Sequence, residues 1–97
     1  MTGGTARVAI VSGGASGIGL GIGRQLAADG HAVALFDLDG AAAESAAEGL
    51  RADGASAIGV SVDVADRDAV DAGVARVRDE HGPIGILVTS AGIESFD

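Results

Sequence analysis

From Arg7 onward, short uninterrupted apolar runs alternate with longer segments in which apolar residues return every third or fourth position. The first run, Arg7 to Val11 (RVAIV), is rich in β-branched residues and closed by glycines, the pattern of a strand buried on both faces. A glycine-rich stretch from Ser12 to Gly19 leads into a segment where Ile18, Ile22 and Leu26 recur every fourth residue, which predicts a helix with one apolar stripe. Asp29-Gly30 ends it. His31 to Phe36 (HAVALF) predicts a second buried strand, with Asp37 at its carboxyl end. Asp39 is placed to cap a second helix, whose Ala43, Ala46, Ala47 and Leu50 fall on one face and which stops before Gly54. Ala57 to Val62 is a third strand. Asp66 caps a third helix with Val70, Gly73, Val74 and Val77 inward, Gly82-Pro83 terminates it, and Ile84 to Val88 is a fourth strand. Three strand-helix units followed by a strand specify a parallel α/β sheet with right-handed crossovers. Ile93 to Asp97 carries no helix or strand signal, so the fourth strand is expected to lie at an open edge.

Composition narrows the class. At 97 residues, 47% hydrophobic and 21% charged, the chain fits one globular domain with no internal boundary. Two Phe and no Trp or Tyr mean that Ala, Val, Ile and Leu must pack directly against glycine backbone. A net charge of -8 without a single Lys argues against a nucleic-acid partner, because phosphate backbones are held by clustered cations. The arginines, among them Arg24, Arg51, Arg67, Arg76 and Arg78, are scattered over predicted helices and read as solvated. Absence of Cys excludes a disulfide framework, a thiolate metal site and a cysteine nucleophile, and it agrees with a reducing compartment. No apolar run approaches the ~18 residues of a membrane span, and the N-terminus lacks a signal-peptide layout, so the expectation is a soluble cytoplasmic protein with no membrane partner.

The chemistry begins in the turn between the first strand and the first helix, Ser12-Gly13-Gly14-Ala15-Ser16-Gly17-Ile18-Gly19. Gly13 permits a tight turn, Gly17 lets backbone approach a diphosphate, and Gly19 allows the helix to lie close to the sheet. Free amides at the helix start then face the anion. A Walker-type phosphate loop would need Lys after its last glycine, whereas Leu20 follows Gly19, which disfavours nucleoside triphosphate hydrolysis.

The spacing S-G-x-x-x-G-x-G resembles the turn of the short-chain dehydrogenase/reductase family, T-G-x-x-x-G-x-G, with Ser12 keeping the hydroxyl. Asp63-Val64 resembles the family's acidic dipeptide beside the adenine. Thr89-Ser90-Ala91-Gly92 resembles its N-N-A-G segment with both asparagines replaced. The likeness runs from about Arg7 to Ile93. It implies a Rossmann-type doubly wound parallel sheet in a three-layer α/β/α sandwich, of which residues 1–97 are the N-terminal, truncated NAD-binding part. It also implies a cofactor site made of Gly13, Ser16, Gly17, Ile18, Gly19, Asp37, Leu38, Asp63, Val64, Ser90, Ala91 and Gly92.

Asp37 stands eighteen positions after Gly19 (37 minus 19), close to the ~20-residue offset of the acid that binds the adenosine ribose. Its carboxylate accepts from a 2′-hydroxyl and repels a 2′-phosphate. Family members that use NADP often carry a basic residue before the second glycine, where this chain has Ser16. Both positions predict NAD. The competing readings of Asp37 are a solvated strand-end carboxylate and a cap for the following helix, the latter weakened because Asp39 is available; that of Asp63 is a capping acid before a helix.

In the family resembled, a Tyr relays the proton, a Lys lowers its pKa, and a Ser and an Asn assist. The chain has no Tyr, Lys or Asn, so no catalytic residue is assigned and the chain alone is expected to be inactive. His31, opening the second strand, and His81, in the last turn of the third helix, are expected at the surface. The whole protein is then expected to pass hydride between NAD(H) and an alcohol or ketone, as a homo-oligomer, without a metal. A non-catalytic NAD-binding or interaction module and a methyltransferase fragment that binds S-adenosylmethionine stand as alternatives.

Overall fold

Successive residues of a strand point to opposite faces, so a strand apolar at every position must be covered on both sides. In the computed structural model, which describes residues 7–89 and 92–95, this is how the first two strands are used. The elements in order are β1 (Val8–Ser12), α1 (Gly17–Ala28), β2 (Ala32–Asp37), α2 (Gly40–Ala52), β3 (Ala57–Ser61), α3 (Arg67–His81), β4 (Ile84–Thr89) and β5 (Gly92–Ser95). Ala9, Val11, Val33 and Leu35 face α1 and α2, whose Ile22, Leu26, Ala47 and Leu50 complete one core. Val8, Ile10, Ala34 and Phe36 form a second core with Val77 of α3. The result is a three-layer α/β/α arrangement, as expected. No helix among the described residues is long and apolar enough to cross a membrane.

The sheet order is β3-β2-β1-β4-β5, with β1 to β4 parallel. The chain leaves β1 toward β2 and β3, then returns to the other side of β1 as β4. The order therefore reverses at β1, and ligands of open α/β sheets bind outside the strand ends at such a point.

Several expectations are corrected. Gly92–Ser95 is a strand, β5, antiparallel to β4 in the register Thr89↔Gly92, Val88↔Ile93, Leu87↔Glu94 and Ile86↔Ser95. The fourth strand is thus not an open edge. Four residues are too few for a periodic signal; the partner supplies what local sequence does not. Ile18 continues the spacing of Ile22 and Leu26 but is 84% exposed, because the helix begins beyond the end of the sheet. His31 precedes β2 and is half-buried, its Nδ1 accepting the Arg7 N–H at 3.0 Å. His81 is half-buried too, with Nδ1 3.4 Å from Ser56 Oγ and Nε2 shielded from solvent.

Arg51 is likewise not simply solvated. It donates to the Ala57 carbonyl at 2.8 Å and to Glu44, whose other oxygen accepts the Gly59 N–H at 3.4 Å. Ala57 and Gly59 belong to β3, the sheet's outer strand, so α2 supplies partners to an edge that would otherwise present unpaired groups. The hydrogen bond from Arg51 holds the Glu44 carboxyl below its ordinary value of 4.5; partial desolvation opposes this, and the Gly59 N–H adds to the lowering. A carboxylate whose folded pKa is depressed stabilises the fold above its unfolded pKa, and that contribution is lost as pH falls through the folded value. Glu44→Gln is therefore expected to be less stable than the native chain at pH 7. Urea unfolding should show the difference closing below about pH 4, and a difference that persists there would contradict the assignment.

Candidate functional site

β1 delivers the chain into the turn that precedes α1. Gly13 and Gly17 adopt φ of +68° and +59°, a region side chains rarely enter, and a Cβ built on either meets no atom within 4 Å. The space beside the turn is therefore open at both positions. Gly19 does a different job from the one expected of it. A Cβ there would lie 2.2 Å from the Gly13 carbonyl oxygen, so Gly19 lets the helix close on its own turn. Contact with the sheet falls to Gly23, which is buried and whose Cβ would approach Leu35 Cδ2 to 3.0 Å.

Helix starts carry N–H groups with no partner inside the helix. Asp39 takes one at α2 through Ala42, and Asp66 takes two at α3 through Asp68 and Ala69. At α1 the N-cap residue Ser16 makes no side-chain cap bond, and the first turn contains no acid. The helix's own cap and first turn thus do not offset the partial positive charge of that end, which suits an anion.

These features border a cleft of about 630 Å³ outside the carboxyl ends of β1 to β4. Of the residues expected from sequence, Gly13, Ile18, Gly19, Asp37, Leu38, Asp63 and Val64 line it. Ser16 and Gly17 lie on the same turn but off the lining. Gly92 opens β5 opposite Thr89, itself a lining residue, while Ser90 and Ala91 lie outside the described residues. Ile22, Val62 and Val88 also line the cleft. Their apolar spacing is indistinguishable from that of core positions, so only their nearness to a strand end could have marked them.

Among the described residues, Ile18, Leu38 and Val64 are the large hydrophobic side chains left exposed, at 84%, 72% and 61%, and all three border the cleft. Apolar side chains gathered at a concave surface suit a ligand with apolar faces. Asp63 Oδ1 accepts the Ala65 N–H at 2.9 Å and so shapes the turn before α3, while Asp66 is the cap. Asp39 caps α2, which leaves Asp37 free of that duty. A separate groove of about 450 Å³ between α1 and α2 is lined mainly by small side chains and reaches no strand end.

Comparison with known proteins decides the family, since a model described as short chain dehydrogenase matches residues 7–97. This chain belongs to the short-chain dehydrogenase family. Among similar short-chain dehydrogenases is 3-oxoacyl-(acyl-carrier-protein) reductase MabA of Mycobacterium bovis, 40% identical over 89 residues, which are 92% of this chain and 32% of that protein. Gluconate 5-dehydrogenase of Gluconobacter oxydans is 41% identical over 86 residues, covering 89% of this chain and 34% of that protein. Cis-4-hydroxycyclohexanecarboxylate dehydrogenase of Sinomonas cyclohexanicum is 44% identical over 87 residues, covering 90% and 34%. The chain spans about a third of the length of these curated relatives.

Within this short-chain dehydrogenase chain the carboxylate of Asp37 is held from two sides. Oδ2 accepts the Ala15 N–H at 3.2 Å, and Oδ1 accepts the Asp39 N–H at 3.1 Å. Each carboxylate oxygen has a second lone pair, so both oxygens can still accept from a ligand.

Proposed function

We propose that this chain is the cofactor-binding part of a longer oxidoreductase that uses a nicotinamide dinucleotide and prefers NAD to NADP. The observation that carries the reading is the meeting of the glycine turn, the Asp37 carboxylate and the exposed side chains of Leu38 and Val64 at one cleft. The residues suit the group: open space beside Gly13 and Gly17 admits a diphosphate against backbone, and the opening amides of α1 receive its charge. Ile18, Leu38 and Val64 offer apolar surface to a planar base, beside Asp63. Ser16, Gly17 and Gly19 border the diphosphate, and Ser90, Ala91 and Gly92 belong with the ribose near the nicotinamide. When bound, such a cofactor accepts or donates hydride.

Asp37 determines which dinucleotide is taken. Its carboxylate accepts from ribose hydroxyls, whereas a 2′-phosphate would place like charges a few ångströms apart. No Lys occurs in the chain, and Ser16 rather than a cation stands before Gly17.

Proton transfer requires a base within hydrogen-bond reach of the substrate. With no Tyr, Lys or Asn among the 97 residues, we assign that step to the portion of the relatives' length that this chain does not span. Relatives named as reductases of an oxoacyl group and dehydrogenases of hydroxy compounds favour an alcohol or ketone as substrate of the whole protein. The 97-residue chain is therefore expected to bind the cofactor and to turn over nothing.

Calorimetric titration with NAD and NADP tests the preference. Hydrogen bonds to a charged group contribute about 1.5–3 kcal/mol, so Asp37→Ala should weaken NAD binding roughly tenfold to a hundredfold while changing NADP binding less. Equal affinity of the native chain for both dinucleotides would overturn the assignment.

A further inference from the structure

We propose that Asp37 is also a positioning residue for the glycine turn, holding it in its anion-binding shape through the Ala15 amide. The inference builds on the cofactor reading above but concerns the diphosphate rather than the adenosine ribose. Two donors tie the turn to the end of β2: the Gly14 N–H reaches the Phe36 carbonyl at 3.1 Å, and the Ala15 N–H reaches Asp37 Oδ2 at 3.2 Å. Gly13 and Gly17, on either side, stand at φ of +68° and +59° with open space where a Cβ would be, although the Gly13 carbonyl packs against Gly19. Glycine gives up more conformational freedom on folding than other residues, so a turn bounded by two of them needs an external tie to keep one shape.

The carboxylate is suited to be that tie. It is itself oriented, because the Asp39 N–H holds Oδ1 at 3.1 Å and Asp39 is anchored as the N-cap of α2. The order of the turn is thus set by a second strand-helix junction, 22 residues away in sequence. Ala15 lies directly before Ser16 and the opening turn of α1, so the orientation of its peptide group sets how the amides of Gly17, Ile18 and Gly19 are presented. One carboxylate then serves two neighbouring groups of the ligand: it contacts the adenosine ribose and preorganises the diphosphate cradle.

Inorganic pyrophosphate separates the two roles because it has no ribose. Simple electrostatics predicts that deleting a nearby negative charge improves binding of this anion; the positioning role predicts the reverse. In amide NMR titrations of the 97-residue chain, pyrophosphate is expected to shift Gly17, Ile18 and Gly19. Asp37→Ala should weaken that response roughly tenfold, the scale of one hydrogen bond to a charged group. Asp37→Asn, equally uncharged but with one oxygen left to accept from Ala15 once the Asp39 N–H bond is given up, should restore part of it. Hydrogen exchange at Ala15 should quicken more in Asp37→Ala than in Asp37→Asn, with Leu35 in β2 unchanged in both as a measure of the intact sheet. Pyrophosphate affinity in Asp37→Ala equal to or above native, with NAD binding reduced, would overturn the positioning role and leave the cofactor reading standing. Equal exchange at Ala15 in native and Asp37→Ala chains would overturn it as well. If pyrophosphate leaves all three amides of the native chain unmoved, the cofactor reading fails and this inference with it.

Discussion

Replacing Gly19 by alanine is expected to abolish measurable cofactor binding while leaving most of the sheet in place. The added Cβ would sit 2.2 Å from the Gly13 carbonyl oxygen, 2.9 Å from its carbon and 3.3 Å from Gly14 Cα. All three are backbone atoms, so no side chain can swing aside. Either α1 tilts away or the Gly13-Gly14 peptide moves, and each displaces the amides proposed to receive the diphosphate. Misplacement by about 1 Å can cost on the order of a hundredfold where geometry sets function. Calorimetry should accordingly show NAD affinity falling at least that far. Gly21→Ala is the control: it lies two residues further along the same helix, is exposed, and meets nothing within 4 Å. That change should stabilise α1 by up to about 1 kcal/mol and leave NAD binding within twofold. Retention of native NAD affinity by Gly19→Ala would show that the turn does not form the site.

The contrast between these glycines marks where sequence reasoning succeeds and where it stops. The strands were legible because Val8 to Val11 and Val33 to Phe36 are apolar on both faces, which only a doubly covered sheet satisfies. The helix starts at Asp39 and Asp66 were legible because capping is local chemistry, and both acids make the bonds expected of them. Asp37 and the turn could be assigned to one site because their separation along the chain matches one strand-helix-strand unit. What escaped depends on contacts between distant segments. Nothing near Gly92–Ser95 announces β5; its pairing with β4 does. The bond from Ala15 to Asp37 requires knowing which way the turn faces. Gly19 and Gly23 sit one helical turn apart on similar backbone, yet one closes a turn and the other packs on Leu35, a distinction made by neighbours rather than by either glycine. Ile18 shares the spacing of Ile22 and Leu26 but projects past the sheet, so an apparent core residue became part of the cleft wall.

The same logic gives the largest expected effect on stability, at Gly59. This residue lies in β3 opposite Leu35 of β2, and a Cβ built on it would come within 2.3 Å of the Ala43 carbon, 2.4 Å of its oxygen and 2.4 Å of the Glu44 nitrogen. Helix α2 therefore rests its backbone directly on the outer strand, an approach open only where the strand has no side chain on that face. Alanine would have to lift the helix. That would separate buried Ala43, Ala47 and Leu50 from the core they share with Val33 and Leu35, and would pull Glu44 and Arg51 off the Gly59 and Ala57 backbone groups. Overpacking of a well-filled interior costs about 1–3 kcal/mol and occasionally more, and the rigidity of the backbone atoms here puts Gly59→Ala at or above the upper end. For a chain of this size each kcal/mol shifts the melting temperature by roughly 4–8 °C, so a loss of roughly 12 °C or more is expected in thermal unfolding followed by circular dichroism. Gly49→Ala, on the exposed side of the same helix with nothing within 4 Å, should raise the melting temperature instead, because alanine is the better helix former by about 1 kcal/mol. Opposite signs for one chemical change, at two glycines that composition alone treats alike, follow from a single contact between α2 and β3. Equal effects of the two substitutions would show that this contact is not made.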